Sequence, residues 1–362
     1  MHNSMMGLVT VGSGSYLPED VHFLLQPVQI AMTDVVEKER LIQSGQKHYS
    51  DMISTESAPS ETHMALYERA VTQNAGRMAA DVQALALALN ERYGGPTIAL
   101  VSFVRAGLPL GVLLRRSLLD RGRDVHHYGV SIVRDRGIDT VALEQIIARH
   151  GAENIVFVDG WTGKGAISGE IKRSLAGDTR FPEAPRLVVL ADPCGRAWLA
   201  ASADDWIIPS GILGATVSGL ISRTIWPAAG GLHGCVMYEH LAEHDVSRDF
   251  IDRIEQARQG IEVAPASPWT RYQAQELQKS AVAVVDTLAA RFEITNMNRI
   301  KPGIAEATRA VLRRLPFKVL VRDRADPDVQ LLMHLTERAE IDVQECAALG
   351  PYRAVTIIRS VS

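Results

Sequence analysis

The sequence predicts an α/β protein, a mainly parallel sheet with helices on both faces, followed by a smaller second α/β unit. Three observations predict it. Short β-rich apolar runs alternate with helix-period segments between residues 97 and 192. The runs are apolar throughout rather than every second residue, as in strands covered on both faces. After an irregular and then helical stretch, the same alternation restarts near Arg299.

In chain order, residues 12–59 are a polar lead-in without the apolar repeat of a self-standing core. Ser60 suits an N-cap for a helix running to about Tyr93, with Met64, Tyr67, Val71, Met78, Val82 and Leu85 on one face and Gly94-Gly95-Pro96 as the stop. Strands are expected at 97–104, 126–133, 154–159 and 186–192, and helices at 110–120, 141–150 and 166–176. Residues 203–250 are irregular and rich in Gly, Pro, Ser and Trp. Residues 251–295 read as helical, interrupted at 263–269. The last unit reads as helix 303–315, strand 317–323, helix 327–339 and strand 354–359. The expected organisation is a lead-in (1–59) packing on the core, a main domain (60–250), a helical linker (251–298) and a C-terminal domain (299–362).

The composition fits two domains: 362 residues, 46% hydrophobic and 22% charged. A net charge of −4 gives no global pull toward nucleic acid or membrane, so any basic surface must be local. The best apolar stretch, 98–114, is broken by Arg105, and the N-terminus lacks a basic region followed by an apolar core. No membrane partner and a cytoplasmic location are therefore expected, while the oligomeric state is left open. Cys194, Cys235 and Cys346 have no metal or disulfide spacing.

Ligands of parallel sheets bind at the carboxyl ends of the strands, which singles out the loops 104–109, 134–139 and 159–165. The third loop lies in IVFVDGWTGKGAI (155–167), where three glycines and a lysine follow an acid. Glycines let backbone amides approach a phosphate, and a helix N-terminus adds its dipole. A triphosphate loop requires Gly five positions before Gly163 and a hydroxyl after Lys164, but Val158 and Gly165 stand there. An acid followed by a short Thr/Gly turn suits a sugar phosphate instead. A tight turn holding no ligand is the plain alternative.

Here the chain resembles type I phosphoribosyltransferases, whose loop has an apolar strand, two acids, two variable residues and a Thr-Thr-Gly turn. Asp159 matches the first acid, Gly160 replaces the second, and the turn is shorter. The resemblance implies that Asp159 contacts ribose or Mg²⁺, and that Gly160, Trp161, Thr162, Gly163, Lys164 and Gly165 form the 5′-phosphate turn. It implies Arg105 and Gly107 at the pyrophosphate, and Arg134 and Arg136 in a loop covering phosphoribosyl diphosphate. Trp206 would stack on a base. The expected enzyme is a phosphoribosyltransferase-like glycosyltransferase with Mg²⁺ as cofactor, acting at the anomeric carbon of phosphoribosyl diphosphate or of a nucleotide.

Longer strings, among them GSYLPEDV, VRAGLPLGVLLRR, FVDGWTGKGAI and IPSGILGATVSGLISRT, resemble one bacterial family. It joins a divergent phosphoribosyltransferase domain to a C-terminal Pelota-like RNA-binding domain and is associated with tellurium-resistance and stress gene clusters. Relatives also carry the label cysteine protease StiP. The resemblance implies RNA binding through 299–362, where residues 299–324 hold eight basic and two acidic residues and Arg309, Arg313 and Arg314 share a helix. Two alternatives stand beside the transferase. One is a non-catalytic nucleotide sensor that binds RNA. The other is a cysteine protease using Cys235, beside His233, or Cys194.

Overall fold

The computed structural model of the chain describes residues 10–227 and 229–360. The first nine residues of the expected lead-in lie outside them. The elements run β1 (His22–Phe23), β2 (Gln26–Pro27), α1 (Val35–Gln43), α2 (Glu61–Arg92), β3 (Thr97–Phe103), α3 (Leu108–Leu119) and β4 (Asp124–Val130). Next come β5 (Ile132–Val133), β6 (Gly137–Ile138), α4 (Thr140–His150), β7 (Ile155–Val158), α5 (Ala166–Ser174), β8 (Leu187–Ala191), β9 (Leu199–Ser202) and β10 (Gly234–Cys235). The chain closes with α6 (Ser247–Arg258), α7 (Arg271–Arg291), β11 (Ile300–Pro302), α8 (Ile304–Arg313), β12 (Pro316–Val321), α9 (Gln330–Arg338), β13 (Asp342–Glu345) and β14 (Ala354–Ile358).

Local chemistry accounts for the boundaries. The Ser60 hydroxyl accepts the His63 N–H and opens α2, as its sequence promised. Asp139 caps α4 through the Ala142 N–H. Pro109 occupies the first turn of α3, where its missing N–H is harmless.

The main sheet has the order β1-β4-β3-β7-β8-β9, and every neighbouring pair is parallel. Successive residues of β3 alternate between two cores. Ile98 and Leu100 pack with α2 and α3, while Ala99, Val101 and Phe103 pack with α4 and α5. The expected fold class therefore holds: a parallel sheet covered on both faces, with a small α/β domain after it.

That C-terminal domain has the sheet order β11-β14-β12-β13, with β12 and β13 parallel and the other pairs antiparallel. Helix α7 covers one face through Val284, Leu288, Leu320 and Ile357. Helices α8 and α9 cover the other, and their Ile304, Ala307 and Leu332 join the core that also holds α2. The two parts thus share one apolar cluster, which fixes α8 against the carboxyl edge of the main sheet. Among the described residues no helix is long and apolar enough to cross a membrane.

Candidate functional site at the carboxyl edge of the sheet

The loops after β3, β7 and β8 meet at the carboxyl edge, where chain connectivity places ligands in such sheets. Asp159, at the end of β7, is buried and accepts the Gly160 N–H at 2.8 Å. Burial pushes its carboxyl up to about 7, against the opposing pull of that N–H and of Arg309. Trp161 is buried beneath the Arg309 guanidinium, 4.5 Å from its ring centre. The Thr162 hydroxyl donates to Asp192 Oδ1 at 2.5 Å, and the Cys194 thiol donates to Thr162 Oγ1 at 3.2 Å. Three further donors hold the Asp192 carboxylate: the N–H groups of Arg196 and Ala197 and the Trp269 indole.

The C-terminal domain closes over the expected phosphate turn. Lys164 donates to the carbonyls of Met297 and Ile300, and burial lowers its ammonium to about 8. Tyr352 donates to the Gly163 carbonyl at 2.9 Å, and a side chain at Gly163 would meet Glu306 and the Pro302 carbonyl within 3.3 Å. The space left beside the turn is about 190 Å³. Small-molecule sites commonly measure roughly 300–1,000 Å³.

The other expected contacts are also engaged. Arg105 donates to Glu56 Oε2 and to the Ile221 carbonyl, both at 2.9 Å. Gly107 leaves no room for a Cβ, which would fall 2.3 Å from the Val158 carbonyl, so this glycine serves the approach of α3 to β7. Gly160 packs in the same way against the Ala106 carbonyl, and Gly165 enters α5 at a φ of +83°. The stretch 132–138 is a tight hairpin of β5 and β6. Arg134 faces the loop cluster and donates to Asn298, whereas Arg136 turns to Asp51 and lies over Trp226. Trp206 is fully buried under Arg77 and lies outside the cluster.

Among the described residues no three His, Cys, Asp or Glu side chains come together to hold a metal. The three cysteines are free. Burial, with the charge of Asp192 behind it, pushes the Cys194 thiol up to about 12, and burial alone does the same to Cys235. The His233 ring pairs with the Ser131 hydroxyl at 2.6 Å rather than with Cys235.

Sequence reasoning missed the second group at this edge. Arg309 and Arg313 of α8, four residues apart and so on one face, point inward with Arg223 and Lys301 and line a cavity of about 1020 Å³ that also contains Glu56. Burial pulls the Glu56 carboxyl up, yet Arg105 and Arg313 hold it at about 2. Arg314 binds Glu39. The three arginines that share this helix thus turn to the cavity and to Glu39. No helical period reveals this, because a charge run on a helix reads as a solvated face.

The family described as "tellurite-like stress resistance cysteine protease StiP" matches residues 14–255, and the PELOTA RNA-binding domain matches residues 279–360. A relative named cysteine protease StiP, from Acinetobacter baylyi, is 53% identical over 96% of this chain and 94% of its own. Among solved structures, the Trypanosoma cruzi hypoxanthine phosphoribosyltransferase is 16% identical, covering 42% of this chain and 86% of its own with a TM-score of 0.25. A Leishmania tarentolae HGPRT-ase in complex with GMP is 15% identical over 40% of this chain and 74% of its own, with a TM-score of 0.24. These likenesses are too faint to carry an activity. The glycosyltransferase expectation is overturned: the relative spanning nearly the whole chain is named a protease, a hydrolase, and the turn meant for a sugar phosphate is closed by Lys164, Glu306 and Tyr352.

Proposed function

The chain belongs to the StiP family, and on that premise we propose that it is a stress-resistance cysteine protease whose nucleophile is Cys194. The observation that carries the choice of residue is the hydrogen-bonded series Cys194–Thr162–Asp192 at the carboxyl edge of the sheet. Cys235, the candidate its neighbour His233 had favoured, sits in a strand pairing with β2 and faces the apolar core without a polar side-chain partner.

A thiol attacks a peptide carbonyl only as thiolate, so its proton must leave. In the series, that proton passes from Cys194 Sγ to Thr162 Oγ1 as the Thr162 proton moves to Asp192 Oδ1. The thiolate then adds to the carbonyl carbon, the amine leaves with a proton returned along the same route, and water hydrolyses the thioester. At rest the thiol keeps its proton, because the sulfur is buried with the charge of Asp192 beside it. Helix α7 covers the site: a side chain at Gly195 would fall 2.7 Å from the Ala274 carbonyl. Substrate entry therefore requires α7 to lift from the 192–195 turn, and the enzyme is latent in the closed form.

The test is peptidase activity on a fluorogenic peptide library, with wild type, Cys194→Ala, Cys235→Ala and Asp192→Asn. Activity is expected to vanish in Cys194→Ala, to fall in Asp192→Asn and to persist in Cys235→Ala. Full activity in Cys194→Ala would dismiss the assignment.

A further inference from the structure

The cavity of about 1020 Å³ between the lead-in and α8 has no part in that proposal, and its chemistry is of another kind. Eleven of the residues lining it are lysine or arginine, and three are aspartate or glutamate. Glu39 holds Arg314 and Glu56 holds Arg105, but Arg223, Arg309 and Lys301 have no carboxylate partner within 4 Å among the described residues. Glu56 already serves Arg105 and the Ala215 N–H, with Arg313 a further 3.9 Å away. Two guanidinium nitrogens, Arg223 Nη1 and Arg309 Nε, are shut off from solvent and find no hydrogen-bond partner among the described residues. A buried donor without an acceptor costs roughly 1–3 kcal/mol, more when charged, so such groups mark a site where an acceptor belongs.

The cations also crowd one another. Burial, then the neighbouring cations Arg313 and Arg105, lowers Arg309 to about 9. Burial with Arg134 lowers Lys301 to about 7. Guanidinium groups match phosphate oxygens as paired donors. Several of them converging on one space call for more than one phosphate. The cavity is far larger than an inorganic anion, and Leu213, Val311 and Leu335 give it apolar wall as well. Its walls come from stretches far apart in the chain (residues 35–63, 213–223, 296–314 and 335–339, with Arg105, Arg134 and Tyr238), and its volume is that of a small-molecule site.

We propose that this cavity is a binding site for a nucleoside di- or triphosphate, with its phosphates on Arg223, Arg309, Arg313 and Lys301 and its base against the Leu213–Val311–Leu335 wall. The cavity adjoins the small space beside the 159–165 turn, sharing Arg105, Arg134, Lys301, Glu306 and Arg309 with it, and it does not rest on the protease reading.

Isothermal titration of the full chain with ATP, GTP and inorganic triphosphate, at about 0.15 M salt, tests it. A nucleotide is expected to bind in the micromolar range or tighter, at least tenfold more tightly than inorganic triphosphate. Arg223→Gln and Arg309→Gln are each expected to weaken nucleotide binding at least tenfold. Arg223 also donates to the Met52 carbonyl and Arg309 lies over Trp161, so both variants are expected to melt somewhat lower than wild type without ligand yet to keep its circular dichroism spectrum. No nucleotide binding at about 1 mM, or binding untouched by both substitutions, overturns the site. Equal affinity for inorganic triphosphate overturns the nucleoside part. Weakened binding accompanied by loss of the native circular dichroism spectrum in both variants overturns it as well, since loss of fold then explains the loss.

Discussion

Replacing Asp159 by Asn should change stability in a way that depends on pH, and the direction of that dependence tests the environment of the loop. The carboxyl of Asp159 is raised from 3.8 to about 7, chiefly by burial. The folded protein thus binds this proton more tightly than the unfolded chain. Its contribution is fully present below pH 3.8 and is lost as pH rises to about 7. At about 1.36 kcal/mol per pH unit, the span from pH 5 to 7 removes about 2.3 kcal/mol from the wild type, and about 0.4 kcal/mol more is lost by pH 8. An amide does not titrate, and its packing difference is a constant at every pH. The stability of Asp159→Asn minus that of wild type is therefore expected to grow by about 3 kcal/mol between pH 5 and pH 8. Urea unfolding at three or four pH values reads this directly, because other titrating groups cancel in the difference. A carboxylate engaged by a cation would slope the other way. A flat or falling difference would refute the claim that Asp159 is a buried, near-neutral acid.

Two further outcomes concern the framework. Gly107→Ala puts a Cβ 2.3 Å from the Val158 carbonyl and 3.0 Å from the Phe103 nitrogen. Both are backbone atoms that cannot swing aside, so a loss of about 1–3 kcal/mol or more in urea unfolding is expected. Unchanged ligand-free stability would mean that this glycine serves ligand approach instead. Asp205→Ala removes the carboxylate that accepts the Ile304 and Arg353 N–H groups, at 2.9 and 2.8 Å, and so joins the two domains. Faster hydrogen exchange at those two amides, with β3 and β7 amides unchanged, is the expected pattern. Equal exchange in variant and wild type would remove Asp205 as the clamp.

The parts of this molecule that were legible in the sequence are those set by local rules. The Ser60 cap, the apolar runs of β3, β7 and β8 and the helices between them follow from neighbours within a few residues. The short edge strands β1 and β9 carry no such run, because partners rather than composition make them strands. The site was harder for the same reason. Lys164 finds Met297 and Ile300, and Tyr352 finds Gly163, across more than 130 residues of chain. The sequence showed a loop suited to phosphate. It did not show that another domain would cover it. Cys235 was attractive through its neighbour His233, yet the strand turns its thiol into apolar core.

That covering explains how one placement of α8 produces both features of the carboxyl edge. Asp205, beyond the end of β9, accepts the first N–H of α8 and so sets where the helix begins. Ile304, Ala307 and Ala310 then bury one side of it. Fixing start and buried side leaves Glu306, Arg309 and Arg313 no freedom of direction. Glu306 falls against Gly163, Arg309 over Trp161, and Arg313 toward Glu56. The helix that shuts the small loop site is therefore the same one that arms the large cavity. A chain with the main sheet alone would have an open 159–165 turn and no cationic cavity. A phosphate ligand is therefore sought at α8, where guanidinium donors stand without partners, rather than at the turn, where Lys164 is already bound to carbonyls.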